Sequence, residues 1–216
     1  MKIGVFDSGM GGLSVAKAIE AAFSKAEVVF RNDSIHMPYG LRRPSELHAL
    51  VVPILQELED GGCQIIVIAC NTVTTNLIED LRAELNVPLV GMEPMVKTAA
   101  EQTLSGIVAV CATPATLASK RYSWLKQTYA ENVTVLEPDC SDWAGMIERN
   151  DIDETLIEIT VQDTLNRGAD VIVLGCTHYH WIEELIQLLA RDRAVVIQPE
   201  PAIIRQIERV WLELQG

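Results

Sequence analysis

Two cysteines, Cys70 and Cys176, stand at matching places in the chain, 106 residues apart. The first follows the apolar run 65–69, and the second follows the apolar run 171–174 and one glycine. A small polar residue that can begin a helix comes next in both cases. Because the N-terminus of a helix lowers the pKa of a thiol, these positions favour thiolates. The pattern therefore indicates two reactive thiols at the ends of two strands.

Two thiols that face one cleft would suit the inversion of a carbon centre. One thiolate can remove a proton from one face of the carbon while a thiol returns a proton to the other face. The residues alone leave three alternatives: cysteines that only pack in the core, a disulfide, or a metal site. The metal site has the least support, because neither cysteine belongs to a Cys-x-x-Cys pair.

A glycine-rich segment follows the first apolar run and opens a helix. It reads Asp7-Ser8-Gly9-Met10-Gly11-Gly12-Leu13-Ser14. Its glycines let the backbone approach a ligand, and backbone N–H groups at a helix start favour a carboxylate or a phosphate. The segment matches neither the P-loop nor the dinucleotide-binding fingerprint. Asp7 is either a helix cap or a carboxylate beside one thiol.

Further candidate residues lie near the predicted strand ends. His178 follows Cys176 by two residues, so we interpret it as a partner of that thiol. Thr113 and Thr116 either bind a carboxylate or cap a helix, and Pro38-Tyr39-Gly40 is either a turn or a substrate-facing loop. The remaining histidines and cysteines are interpreted as packing residues: His36, His48, His180, Cys63, Cys111 and Cys140.

Short apolar runs alternate with helical patterns along the whole chain. The runs are residues 3–6, 28–30, 65–69, 89–90, 107–110, 133–136, 171–174 and 194–197. Runs of this length rich in Val and Ile predict buried parallel strands. In the helix after the sixth run, we expect a capping box at Asp151 and Glu154, a C-cap at Gly168, and an apolar stripe of Ile152, Leu156 and Ile159.

The chain also resembles itself at an offset of about 106 residues, since 65–72 is similar to 171–178 and 3–9 to 107–113. The predicted fold class is α/β, with two similar lobes, parallel sheets, a pseudo-two-fold axis and an active site in the cleft between the lobes. We expect the first lobe to comprise residues 1–92 and 200–216, and the second lobe residues 93–199.

The amino-acid composition limits the classes of protein to which the chain can belong. The chain has 216 residues, 49% apolar and 22% charged, with a net charge of −13. These values predict a soluble globular protein and argue against nucleic acid as a partner, because phosphate binding needs clustered positive charge. No apolar run approaches the roughly 18–20 residues of a membrane span. The early Asp7 and the absence of disulfide spacing predict a cytoplasmic protein with free thiols.

Four motifs together resemble the cofactor-independent aspartate/glutamate racemase family. They are Phe6-Asp7-Ser8-Gly9-Met10-Gly11-Gly12-Leu13-Ser14-Val15, Pro38-Tyr39-Gly40, Ala69-Cys70-Asn71-Thr72 and Gly175-Cys176-Thr177-His178-Tyr179. They occur in the family's order over nearly the whole chain. His178 is similar to the glutamate branch of the family, since the aspartate branch usually has Glu there.

The resemblance implies roles for individual residues. Cys70 would act on the D-enantiomer and Cys176 on the L-enantiomer, assisted by Asp7 and His178 respectively, and Glu148 matches a third assisting acid more loosely. The positions that match substrate contacts are Ser8, Pro38, Tyr39, Gly40, Asn71, Thr72, Thr113, Thr116 and Thr177. Neither a cofactor nor a metal is implied.

The resemblance also implies the substrate and the biology. It predicts interconversion of L- and D-glutamate, D-glutamate supply for peptidoglycan in the bacterial cytoplasm, and a homodimer. An aspartate or broad-specificity racemase, and a ligand-binding homologue without turnover, are the alternatives. The sequence departs from the family pattern at His180-Trp181, at Pro199-Glu200-Pro201 and in the segment 140–149.

Overall fold

The computed structural model describes residues 1–216 and contains two four-stranded parallel sheets. The first sheet, in the spatial order β2-β1-β3-β4, consists of β1 (Lys2–Asp7), β2 (Glu27–Asn32), β3 (Ile65–Ile68) and β4 (Leu89–Gly91). The second, in the order β6-β5-β7-β8, consists of β5 (Ile107–Cys111), β6 (Thr134–Leu136), β7 (Val171–Leu174) and β8 (Val195–Ile197). All eight predicted strands are confirmed. The identical strand order agrees with the internal repeat.

Ten α-helices connect the strands and cover the sheets. They are α1 (Leu13–Ala22), α2 (Pro44–Asp60), α3 (Asn71–Glu84), α4 (Val96–Gln102), α5 (Pro114–Leu117), α6 (Lys120–Tyr129), α7 (Trp143–Glu148), α8 (Glu154–Asn166), α9 (Glu183–Ala190) and α10 (Glu200–Gln215). Short 3₁₀ segments span Met10–Gly12, Ser34–His36, Tyr39–Leu41 and Thr177–Ile182. None of these helices combines the length and the apolar character needed to cross a membrane.

Each sheet is buried on both faces, which explains its continuous apolar strands. Along β3, Ile66 and Ile68 pack toward α2 and α3, whereas Ile65 and Val67 pack toward α1 and α10. Successive side chains of a strand point to opposite faces, so a strand covered on both sides needs no polar positions. The same arrangement recurs in the second sheet, which also lies between two apolar clusters.

We refer to the sheet β1–β4 with its packed helices as the first lobe, and to β5–β8 with its helices as the second lobe. The last helix, α10, packs on the first lobe, where Ile203 and Ile207 join the core formed by β1 and β3. The first helix after β4, α4, packs through Val96 and Ala99 on the core of the second lobe. The division at residues 92 and 200 stays a prediction.

Helix α8 differs from its sequence-based prediction. It begins at Glu154, because Asp153, not Asp151, accepts a hydrogen bond from the Leu156 backbone N–H at 3.0 Å. The expected apolar stripe is wrong: Ile152, Leu156 and Ile159 are all exposed, and Ile159 is 62% exposed. The buried face carries Ile157, Val161, Thr164 and Leu165 instead.

The physical reason lies in Thr164, which breaks the apolar pattern in the sequence. Its hydroxyl donates to the Thr160 carbonyl at 2.9 Å, so a polar side chain is buried with its hydrogen bond made. The C-terminal prediction is confirmed, since Gly168 follows the helix with a φ of 93°, a left-handed conformation that favours glycine.

Substitutions at two isoleucines of α8 test which face of the helix is buried. Ile157→Ala should lower the free energy of unfolding by about 2–5 kcal/mol, because Ile157 is fully buried in the core of the second lobe. The matched variant Ile159→Ala removes the same atoms from an exposed site and should stay within about 0.5 kcal/mol of wild type. Urea unfolding of both variants measures the difference. Equal losses would contradict the packing described here.

Candidate active site

The two cysteines lie at the carboxyl ends of equivalent strands. Cys70 follows β3 at the N-cap position of α3, and Cys176 follows β7 at the N-cap position of the Thr177–Ile182 segment. Both side chains are buried, with 4% and 7% exposure respectively. Loops at this edge of an open α/β sheet are the usual place for a ligand. Because the two lobes face each other through this edge, both thiols reach one cavity.

The cavity between the lobes is small, with a volume of about 30 Å³. Eleven of the residues singled out from the sequence line it: Ser8, Pro38, Tyr39, Gly40, Cys70, Asn71, Thr72, Thr113, Cys176, Thr177 and His178. This volume holds little more than a water molecule. An amino acid is larger, so the lobes or their side chains must move to admit one.

Cys70 has a single polar side-chain partner. Its Sγ donates to the Ser8 hydroxyl at 3.3 Å. Burial, together with the negative charge of the neighbouring Asp7, raises the pKa of Cys70 to about 12. In this closed arrangement Cys70 is therefore a thiol, a proton donor.

Asp7 lies behind the cavity wall and is completely buried. Its Oδ2 accepts hydrogen bonds from the backbone N–H groups of Gly12 at 2.8 Å and Gly9 at 3.4 Å. The Thr177 hydroxyl, from the second lobe, donates to Oδ1 at 3.2 Å. Burial raises the pKa of Asp7, while the nearby His178 and the backbone donors oppose that shift. Its hydrogen bonds are made to the glycine-rich segment and to Thr177, not to Cys70.

His178 links Cys176 to Glu148. Its Nδ1 lies 3.8 Å from Cys176 Sγ, and its Nε2 lies 2.9 Å from Glu148 Oε2. Burial alone would lower the pKa of His178, but the hydrogen bonds with Cys176 and Glu148 outweigh it and raise the pKa to about 11. The hydrogen bond from His178 also lowers the pKa of Glu148. A protonated imidazole therefore stands beside the Cys176 sulfur.

Glu148 does not line the cavity but spans its rim. It lies at the C-terminus of α7 in the second lobe and accepts hydrogen bonds from two groups of the first lobe. These are the Met10 backbone N–H at 3.3 Å and the Ser34 hydroxyl at 3.1 Å. Glu148 thus orients His178 and joins the two lobes at the same time.

Three threonine hydroxyls meet on the opposite side of the cavity. Thr72 Oγ1 lies 2.8 Å from Thr113 Oγ1, and Thr113 donates to Thr116 Oγ1 at 3.0 Å. Thr113 also caps α5, as one of the two sequence interpretations requires. Thr116 is fully buried behind Thr113 and does not line the cavity. The cluster crosses the cleft, because Thr72 belongs to the first lobe.

The side chain of Asn71 gives the most direct indication that the cavity binds a ligand. Its side chain is 2% exposed, and neither its Oδ1 nor its Nδ2 has a hydrogen-bond partner. A buried amide without partners is costly, and an amide that lines a cavity can recover its hydrogen bonds from a bound polar molecule. Tyr39 contrasts with it, since its hydroxyl already donates to Asp33 at 2.7 Å.

Five lining residues were missed by sequence reasoning: Met37, Leu41, Pro114, Ser141 and Ala144. Met37, Leu41 and Pro114 are direct sequence neighbours of predicted site residues, so including one neighbour on each side would have found them. Ser141 and Ala144 lie in the segment that departs from the family pattern. No motif or spacing marks them, because only the packing of α7 brings them to the cavity.

A larger cavity, of about 350 Å³, lies elsewhere between the lobes, near Arg82, Glu93 and Arg121. It contains no cysteine or histidine, so its chemistry differs from that of the small cavity. All five cysteines are free thiols, which excludes a disulfide between Cys70 and Cys176 in this structure. No three His, Cys, Asp or Glu side chains converge as metal ligands would.

The arrangement can perform acid–base chemistry at one carbon atom from two sides. One thiol stands beside a cationic imidazole, and the other is a neutral proton donor in a buried, negatively charged environment. The N-termini of α3 and α5 lie at the cavity wall, through Asn71, Thr72 and Pro114, and a helix N-terminus favours carboxylate groups.

The chain is similar to racemases. The family model for Asp/Glu/hydantoin racemases matches residues 3–207 of the chain. The glutamate racemase of Ralstonia pickettii is 37% identical over 211 residues, which is 96% of this chain and 75% of the relative. The chain belongs to the Asp/Glu/hydantoin racemase family, and its enzyme class is that of the racemases, which are isomerases.

Solved structures of two relatives share the fold. Escherichia coli glutamate racemase, in complex with L-glutamate and the activator UDP-MurNAc-Ala, has a TM-score of 0.89 at 26% identity, over 96% of this chain and 80% of that one. Francisella tularensis glutamate racemase, in complex with D-glutamate, has a TM-score of 0.81 at 25% identity, over 99% and 82% of the two chains.

Removing the Glu148 charge should change the titration of His178. Because the folded pKa of about 11 lies above the ordinary value of 6.5, protonated His178 stabilises the fold below pH 6.5. That contribution is lost as the pH rises through about 11. Glu148→Gln should lower the pKa of His178, and NMR titration of the imidazole measures it. The control Glu84→Gln removes a carboxylate that contacts His48 instead. A wild-type His178 that titrates near 6.5 would contradict this description.

Proposed function

We propose that the protein interconverts L- and D-glutamate by a two-thiol mechanism without a cofactor. One observation carries the proposal: Cys70 and Cys176 line the same buried cavity from opposite lobes. A racemase needs an acid–base group on each face of the reacting carbon, and two thiols at equivalent strand ends provide that arrangement. Membership in a family whose relatives are glutamate racemases supports the choice of substrate.

The substrate would be held by neutral groups. Neither Arg nor Lys lines the cavity, so hydroxyls, amides and backbone N–H groups must bind both carboxylates. Asn71 has an unpartnered amide for this purpose, and Ser8, Thr72 and Thr113 offer hydroxyls. Thr177 lines the same cavity, while its hydroxyl donates to Asp7. We assign Pro38, Tyr39 and Gly40 to the wall that closes over the substrate, and Thr116 to the support of Thr113.

In the L-to-D direction, the Cys176 thiolate removes the α-proton. The electron pair of the broken C–H bond stays on the α-carbon and is delocalised into the adjacent carboxylate. The Cys70 thiol then donates its proton to the opposite face, forms the new C–H bond and becomes the thiolate. Protonated His178, held by Glu148, stabilises the negative charge on Cys176 before the transfer.

In the D-to-L direction, the roles of the two thiols are exchanged. The Cys70 thiolate is the base and Cys176 is the acid, while Asp7 assists the Cys70 side by orienting the glycine-rich segment and Thr177. A closed cavity without bulk water suits the carbanion-like transition state, because fixed dipoles interact more strongly where water is excluded.

We further propose a role in making D-glutamate for peptidoglycan in the bacterial cytoplasm, with the enzyme acting as a homodimer. Rescue of a bacterial strain that requires added D-glutamate would test the biological role. Sedimentation of the purified protein would test the dimer, and a monomer at enzyme-assay concentrations would overturn it.

Proton NMR with L-glutamate in D₂O tests the reaction itself. The protein should replace the α-proton by deuterium while the optical rotation falls to zero, without added cofactor or metal. L-Aspartate in a parallel tube tests the choice between a glutamate enzyme and an aspartate or broad-specificity enzyme. Constant signals with both substrates would overturn the racemase proposal and favour a binding protein without turnover.

Single-thiol variants test the two-base mechanism. Cys70→Ser and Cys176→Ser should each lower racemisation by about 10²–10⁴-fold, because each removes one acid–base group. In D₂O, Cys70→Ser should still exchange the α-proton of L-glutamate without inversion, and Cys176→Ser should do so with D-glutamate. Cys63→Ser is the control, since Cys63 is buried in the first lobe outside the cavity. Rates within tenfold of wild type in either single variant would exclude the two-thiol mechanism.

A further inference from the structure

A second buried histidine joins the two lobes beside the active site. His180 lies in the Thr177–Ile182 segment of the second lobe, and its side chain is 4% exposed. Its Nδ1 lies 3.3 Å from Glu200 Oε1 and 3.3 Å from Ser14 Oγ. Ser14 belongs to α1 and Glu200 to α10, and both helices pack on the first lobe. The interpretation of His180 as an ordinary packing residue is therefore incomplete.

The geometry excludes a serine nucleophile. A serine that is activated by histidine needs one ring nitrogen, and the orienting carboxylate needs the other. Here Ser14 and Glu200 share Nδ1, while the buried Nε2 has no partner. The contacts among His180, Ser14 and Glu200 therefore connect the Thr177–Ile182 segment to helices α1 and α10.

Hydrogen-bond directions link this cluster to the glycine-rich segment. The Ser14 hydroxyl donates to the Gly11 carbonyl at 3.1 Å, so its oxygen accepts from the Nδ1–H of His180. The Oε1 atom of Glu200 lies 3.3 Å from the same nitrogen. Burial alone would raise the pKa of Glu200, but its contact with His180 outweighs burial and lowers the pKa, so the carboxylate is charged.

Gly11 in turn contacts the residues that follow Cys176. A Cβ atom added at Gly11 would lie 2.7 Å from the His178 backbone nitrogen and 2.8 Å from Thr177 Oγ1. Such a close approach leaves no room for the two segments to slide past each other. Polar contacts thus run from Glu200 through His180 and Ser14 to Gly11, next to His178.

We propose that His180, paired with Glu200, is a positioning residue that holds the Thr177–Ile182 segment against the first lobe. It thereby sets the distance at which Cys176 and His178 face Cys70 across the cavity. The substrate is not touched by this pair, because neither residue lines the cavity. Both residues belong to segments where the sequence departs from the family pattern. The inference rests on the proposed function, since its catalytic readout is racemisation.

Glu200→Gln tests the pair, because it keeps the shape and one acceptor but removes the charge. We expect kcat to fall about tenfold with little change in KM, since a displacement well below 1 Å at the thiols already slows proton transfer. Ser14→Ala should have a smaller effect in the same direction. The control Glu208→Gln removes an exposed charge from the same helix and should keep wild-type kinetics.

Two further measurements separate positioning from general destabilisation. In hydrogen exchange, residues 177–182 should exchange faster in Glu200→Gln than in Glu208→Gln, while the β1 and β3 strands stay protected. In a double-mutant cycle, His180→Gln with Glu200→Gln should lower kcat no further than one substitution does.

The outcomes distinguish this inference from the proposed function. Wild-type kcat together with unchanged exchange in Glu200→Gln would overturn the positioning role even though wild type racemises glutamate. An inactive wild type would overturn the proposed function, and the exchange measurement would then decide the positioning role by itself. Loss of protection throughout the molecule would also overturn it, since the pair would then stabilise the fold as a whole.

Discussion

The buried carboxylate of Asp7 is the contact on which the site depends. Burying a charge without partners costs several kcal/mol, so the surrounding donors must be held in place. Gly9 and Gly12 supply backbone N–H groups from the same lobe, and Thr177 supplies a hydroxyl from the other lobe. Asp7 therefore has all of these hydrogen bonds only while the two lobes are closed. The contact between Thr177 and Asp7 also brings the second lobe next to the glycine-rich segment that follows β1.

The two thiols are equivalent by position but not by environment. Cys70 has Ser8 as its partner and Asp7 as its charged neighbour, whereas Cys176 has a cationic histidine. The internal repeat places one thiol on each side of the cavity, and each thiol has different neighbours. Equivalent positions in the two lobes therefore carry the same side chain in different electrostatic surroundings.

Several polar contacts cross the cleft between the two lobes. Glu148 binds Met10 and Ser34, Thr72 meets Thr113, and His180 meets Ser14 and Glu200. Each hydrogen bond of this kind contributes about 0.5–1.5 kcal/mol, and those to charged groups contribute more. A set of such contacts can open and close more easily than a single strong one.

Much of this molecule follows from local sequence patterns. Eight short runs rich in Val and Ile specify strands because parallel strands are buried on both faces, and the repeat specifies their common order. The positions of Cys70 and Cys176 at strand ends follow from the same patterns, as does the helix-forming segment after Asp7. These features depend on residues close in the chain or on a period that the sequence displays directly.

The tertiary structure alone decided which side chains meet across the cleft. Glu148 reaches His178, Ser141 and Ala144 reach the cavity, and His180 reaches Glu200, although no spacing in the chain predicts these contacts. The buried face of α8 also differs from the apolar pattern, because Thr164 meets its hydrogen-bonding need within the helix. Local patterns and the internal repeat specify the strands and place the two thiols at strand ends. The contacts between the lobes depend on distances that are set only when the two sheets pack together. The charges near each thiol depend on the same distances.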